Sequence, residues 1–215
     1  MTGMTTGNTP RTGAHAAGGS RADANRRRIL DVALAELLRD PDASMDQIAR
    51  AAGVVRRTVY GHFPSREALI GTLVDGAVAA VAEAHRAGRA GVDDPAEALA
   101  RYTLAVWEIA DRYRILVSLA QRSVGEQGIR DRFSPVRASC AKVLQQGMDQ
   151  GVFTSPLPSP ALAYVHEHML FALMEAVNAG LLAPEEAGPS ATITLLTTAG
   201  VPAARATELV ASLSA

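Results

Sequence analysis

Between Ser44 and Leu69 the chain reads SMDQIARAAGVVRRTVYGHFPSREAL, and this segment restricts the fold more than any other. Ser44 precedes the apolar set Met45, Ile48 and Ala49, and Gln47 stands three residues on, so the two polar side chains can satisfy each other's free amides as a capping box. A helix is predicted to start there. It is predicted to stop at Gly53, because glycine takes the left-handed backbone that a sharp turn needs, with Val54 plugging the corner. A second short helix follows from about Val55 to His62, with Val59 and Phe63 facing inward.

That second helix carries Arg56, Arg57 and Thr58 at its N-terminal end, with Tyr60 and His62 further along. Two short helices around a glycine corner outline a helix-turn-helix, in which the N-terminal residues of the second helix meet base edges in the major groove of DNA. Arginine suits that work, because its planar fork matches the two acceptors of guanine at about 1 to 3 kcal/mol of discrimination. The hydroxyl and imidazole groups of Thr58, Tyr60 and His62 are better suited to phosphate oxygens, which fix register without reading sequence. Paired arginines on a short exposed helix are also what a solvated face carries. The surrounding spacing favours DNA.

The residues Ile48-Ala49, Ala52-Gly53-Val54, Thr58-Val59-Tyr60, His62-Phe63, Ser65-Arg66 and Ala68-Leu69 resemble the TetR family of transcriptional regulators. Arg28-Ile29-Leu30, Ala33 and Leu37 extend the likeness more loosely into a first helix, so it covers about 45 residues. The resemblance implies an all-α chain: a three-helix helix-turn-helix DNA-binding domain over 21–70 and a larger helical ligand-binding and dimerisation domain over 71–215. It implies a homodimer on a palindromic operator in double-stranded DNA, and a repressor released when a small, largely apolar effector binds. Arg28, Ser44, Arg56, Arg57, Thr58, Tyr60, His62 and Arg66 are the expected DNA-contacting residues. Two positions depart from the pattern. Val55 replaces the usual serine or threonine cap, an omission worth about 1 kcal/mol, and Gly61 stands where a larger residue is common, at up to about 1 kcal/mol relative to alanine. They keep open a second reading, a helical small-molecule binding protein whose headpiece no longer reads an operator.

A net charge of minus one looks wrong for a DNA binder until it is divided along the chain. Residues 21–72 hold nine arginines and seven acids, a net of plus two, whereas residues 73–215 carry minus four. The sign of that asymmetry is the expected one. Arg26, Arg27 and Arg28 sit in the first turn of the first helix, where cations oppose the helix dipole, a placement that phosphate contact would explain. Residues 1–20, rich in Gly, Thr and Ala, are expected to be a disordered arm. No apolar run reaches 18 residues and the polar N-terminus lacks the apolar core of a signal peptide, so a cytoplasmic protein without a membrane span is expected.

Beyond the headpiece, Pro64-Ser65 opens a long amphipathic helix through Leu73, Val74, Ala77, Val78 and Val81, followed by a loop over 88–95. In the family pattern this helix links ligand state to headpiece spacing. A helix from about Pro95, a short one from Tyr113 to Arg122, one opened by Ser134-Pro135, another by Ser159-Pro160, and two near 190–199 and 203–213 complete the reading. The resemblance assigns the segments 160–182 and 190–213 to a four-helix dimer contact. Tyr102, Trp107, Met148, His166, Met169 and Phe171 are candidate walls of an apolar ligand pocket, although Met and aromatics at helical spacing also fill ordinary cores. His166 and His168, two apart on a helix, diverge too far to share a metal, and lone Cys140 reads as an apolar filler. No phosphate loop, nucleophile elbow or paired-carboxylate pattern is present, so no cofactor, metal or catalytic residue is expected.

Overall fold

A computed structural model describes residues 14–214, and every regular element among them is an α-helix. The chain divides into two compact units between Leu69 and Ile70. In the first unit lie α1 (Ala14–Arg39), α2 (Met45–Ala51), α3 (Arg56–His62) and the start of α4 (Arg66–Ala87). Ile29, Ala33 and Leu37 recur every four residues on α1 and are fully buried with Ile48, Ala52 and Val59, which makes one apolar seam of the three helices. The expected arm over 1–20 is shortened by this helix: Ala14 to Ser20 continue α1, as an alanine-containing stretch can once a helix is nucleated. Residues 1–13 lie outside the described residues.

The turns of the headpiece follow the sequence closely. The Ser44 hydroxyl accepts from the Gln47 amide at 3.3 Å while the Gln47 carboxamide oxygen accepts from the Ser44 amide at 2.7 Å, which completes the capping box. Gly53 has φ 63°, and the Val54 amide bonds back to the Ala49 carbonyl, so the corner between α2 and α3 is fixed by backbone geometry. Val55 caps α3 without a side-chain bond, and Ser65 caps α4 by accepting from the Ala68 amide.

The second unit holds the rest of α4 with α5 (Pro95–Asp149), α6 (Ser159–Asn178), α7 (Pro184–Thr198) and α8 (Ala203–Leu213). Its core joins Leu99, Leu144, Leu162, Leu195 and Leu196, all essentially buried. α4 is long and apolar enough to cross a bilayer by length and composition, with mean hydropathy 1.3 over its most apolar window. That window is 44% buried within the protein, and Asp75 on the same helix pairs with Arg132, so core packing accounts for its composition.

Four expectations for this unit need correction. The helix from Pro95 does not stop before Tyr113; it runs on to Gly125, whose φ of 72° and ψ of 165° break α5 into two segments. Ser134-Pro135 therefore opens nothing. Pro135 lies inside the second segment on an exposed position, where solvent can bond the carbonyl that its missing N–H leaves free. Ser159 is not the cap of α6 but its first residue, buried, and its hydroxyl donates to the Gln145 carboxamide at 2.8 Å, tying α6 to α5. α7 starts at Pro184 rather than near Ser190, helped by Glu185 and Glu186 at the positive end of its dipole.

Candidate DNA-reading face and ligand cavity

α3 is oriented by one buried residue. Val59 is fully buried, which turns Arg56, Arg57, Tyr60 and Gly61 to the outside and leaves Thr58 and His62 half-buried at the margins. The sequence-predicted DNA residues of this helix are therefore brought together, but they are held differently. Arg56 forms an ion pair with Asp46 on α2 at 2.8 Å, lies 5.0 Å above the Tyr60 ring, and reaches the Tyr60 hydroxyl at 3.4 Å. An exposed pair of this kind adds at most about 1 kcal/mol, yet it fixes where the guanidinium points. Arg57 has no ion pair or side-chain hydrogen bond among the described residues and is exposed, so its fork stays available.

The other expected contacts are placed by the headpiece itself. A Cβ at Gly53 would lie 3.0 Å from an Arg28 guanidinium nitrogen, so Arg28 runs against the corner of the motif. Arg26 stacks 5.3 Å above the Phe63 ring, a use of the basic cluster that spacing did not reveal. Ser44 is engaged in its capping box. Arg66 donates to the carbonyls of Ala43 and Pro41, clamping the loop before α2. That clamp is a structural task and occupies much of the side chain expected on DNA.

In the second unit a cavity of about 70 Å³ opens among α4, both segments of α5, α6 and α7. Three of the candidate ligand residues, Tyr102, His166 and Phe171, line it. Trp107, Met148 and Met169 do not. Trp107 packs instead on Gly188, where a Cβ would come within 3.0 Å of the indole, and Met148 and Met169 sit against the core. Helical spacing says that a residue faces inward; it does not say whether it meets a void or another side chain. The residues missed include Phe133, which meets Phe171 edge-on at 5.5 Å, and the charged pair Arg137 and Glu167.

Arg137 binds both oxygens of Glu167, at 2.6 and 2.8 Å, with both side chains mostly buried. An i-to-distant-helix pair of this sort leaves no periodic mark in a sequence. Around it the wall is neutral. Burial, and then Glu167, push the Cys140 thiol up to about 12, while burial, Cys140 and Glu167 hold the Tyr102 phenol well above its ordinary range. Burial pulls His166 down to about 4, and its Nε2 lies 2.9 Å from the Thr198 hydroxyl. At neutral pH the cavity thus offers apolar and aromatic walls, uncharged hydrogen-bonding groups and one internally balanced ion pair. Among the described residues no group of ligands could hold a metal ion, and Cys140, buried and protonated, is a filler.

An exposed, arginine-bearing second helix on a capped glycine corner, followed by a separate helical unit with an apolar cavity, defines a helix-turn-helix protein of the two-unit, all-α kind. Residues 29–73 match the tetR family of bacterial regulatory proteins, and the chain carries the N-terminal domain of that family. The uncharacterized HTH-type transcriptional regulator TtgW of Pseudomonas putida is 50% identical over 46 residues, which is 20% of this chain and 34% of that protein. The match thus spans about a third of that relative's length. The fold is similar to the TetR-like regulator LfrR of Mycobacterium smegmatis, solved in complex with proflavine (TM-score 0.64, 22% identity, 82% of this chain and 96% of that one). It is also similar to the transcriptional regulator FadR of Bacillus subtilis in complex with stearoyl-CoA (TM-score 0.69, 16% identity, 80% and 98%).

Proposed function

We propose that this protein is a cytoplasmic, ligand-responsive transcriptional repressor that binds a palindromic operator as a homodimer and leaves it when a small, largely apolar molecule enters the second unit. The observation that carries the reading is the exposed face of α3, with Arg57 unengaged beside the anchored Arg56–Tyr60 pair. In this assignment Arg57 reads a base edge, Arg56 is positioned by Asp46 to read or to grip the adjacent backbone, and Thr58, Tyr60 and His62 contact phosphates. Arg28, Ser44 and Arg66 contribute at the margin, Arg66 chiefly by holding the loop that presents α2.

The cavity lined by Tyr102, His166 and Phe171 supplies the effector site. At about 70 Å³ it is well below the roughly 300 Å³ of an ordinary small-molecule pocket, so ligand entry requires the walls to move. That movement gives binding a conformational consequence. Proflavine, a flat aromatic cation, and stearoyl-CoA, a long alkyl chain on a charged nucleotide, each present an apolar portion, which supports an effector with an apolar part that fits this cavity. A two-fold dimer follows from the task, because one recognition helix per subunit must reach successive major grooves about one turn apart.

Selection of bound duplexes from a random DNA pool by the purified protein tests this reading. Enrichment of a two-fold symmetric sequence is expected. Recovery of the unselected pool, after any copurified ligand has been stripped by refolding, would favour a helical small-molecule binder whose headpiece no longer reads DNA.

A further inference from the structure

A second, chemically opposite concavity lies in the same unit. It is a cleft of about 360 Å³ bounded by the end of α4, the turn after it, the start of α5 and the Ser139–Gln146 stretch of α5's second segment. His85, Arg86, Arg89 and Ser139 face it, with Asp93 as the acid among its walls. We propose that this cleft binds a small oxyanion, a carboxylate or phosphate group, held by Arg89 and Arg86 against the buried His85. The inference goes beyond the effector reading above and does not depend on it.

The cations are not equally committed. Arg86 pairs with Glu83 one turn back on the exposed side of α4. Arg89 has no ion pair or side-chain hydrogen bond among the described residues, and it lies close enough to His85 for its charge to be felt by the imidazole. His85 is 3% exposed. Its Nδ1 lies 3.2 Å from the Ser139 hydroxyl, and its Nε2 is buried without a partner. Taking the Ser139 O–H as donor to Nδ1 leaves the ring proton on Nε2, a buried donor with no partner in the protein that an anionic acceptor would satisfy once the ring turned towards the cleft. Burial and then Arg89 pull His85 down to about 4, so at neutral pH it supplies a hydrogen bond rather than a third charge. A fork-shaped guanidinium beside a neutral N–H donor is a recognised way to take up an oxyanion. On its inner side His85 meets Tyr102 edge-on at 4.6 Å, and Tyr102 in turn lines the apolar cavity, so the polar cleft and the cavity stand on either side of this ring pair.

Citrate and inorganic phosphate are the probes, titrated by calorimetry into the full-length protein at low ionic strength with chloride as the counter-ion. Saturable one-to-one binding of at least one probe is expected, citrate preference marking a carboxylate ligand and phosphate preference a phosphate ester. Arg89→Gln and Arg86→Gln sit at solvent-accessible positions, and each is expected to weaken binding at least tenfold with an unchanged melting temperature. Arg39→Gln, which removes an arginine paired with Glu36 in the headpiece, is expected to leave binding intact. Absence of saturable binding by both probes would overturn the proposal. So would equal loss in the Arg39 variant, or wild-type binding by both cleft variants.

Discussion

At the scale of single residues, adjacent arginines on α3 have unequal surroundings. Arg56 is tied to Asp46 and stacked on Tyr60, whereas Arg57 is exposed and unengaged. Arg57→Ala is therefore expected to weaken the selected operator by about 1 to 3 kcal/mol and to relax one base preference, with little change on random duplex, as read by fluorescence anisotropy. Tyr60→Phe should weaken all duplexes more evenly. Trp107 illustrates the reverse case, a residue whose spacing suggested a ligand wall and whose contacts show core packing on Gly188. Trp107→Ala is expected to destabilise the protein by about 3 to 5 kcal/mol in urea unfolding. A near-neutral effect on stability would contradict that placement. The exposed face of α3 was legible in the sequence because capping boxes, glycine corners and four-residue spacing are local. The Arg137–Glu167 pair, the Arg66 clamp and the Arg26–Phe63 stack were not, because each joins residues far apart in the chain whose approach only the fold decides.

At the scale of elements, the breaks that the sequence revealed are those made by backbone necessity. Gly53 with its positive φ and Ser44 with its box mark α2 at both ends. Pro135 does not break α5, because proline in a helix is decisive only where its freed carbonyl cannot find water, whereas Gly125 does break it although a lone glycine in a polar stretch carries no turn signal of its own. α3 departs from good helix design twice, at Val55 and Gly61. A Cβ at Gly61 would meet nothing within 4 Å. Val55→Ser should add a side-chain cap and Gly61→Ala should restore helix propensity, each raising headpiece stability by up to about 1 kcal/mol. Unchanged or lower urea midpoints for both variants would show that α3 is limited by something else. Gly125→Ala should destabilise by about 1 kcal/mol or more, since a residue with a Cβ is strained at φ 72°.

At the scale of the whole molecule, burial of imidazoles sets a pH limit. His85 and His166 are both held at about 4, well below the 6.5 of an exposed ring, chiefly by burial. Between those values the unfolded chain binds protons that the folded chain does not, so stability is full above about pH 6.5 and declines as pH falls towards 4. The decline is at most roughly 3 kcal/mol for each histidine. Urea unfolding at pH 7 and at pH 5 should show it, and a flat profile would mean that the rings are accessible to protons in the folded state. The charge distribution acts at this scale too. A positive N-terminal third on a chain of net charge minus one favours approach to DNA by one end of the sequence. The most direct measurement is the affinity of the pool-selected duplex against a scrambled duplex of equal length at two salt concentrations. The account predicts at least about a thousandfold preference for the selected sequence, retained as salt rises. Equal affinity for both duplexes, falling together with salt, would contradict it.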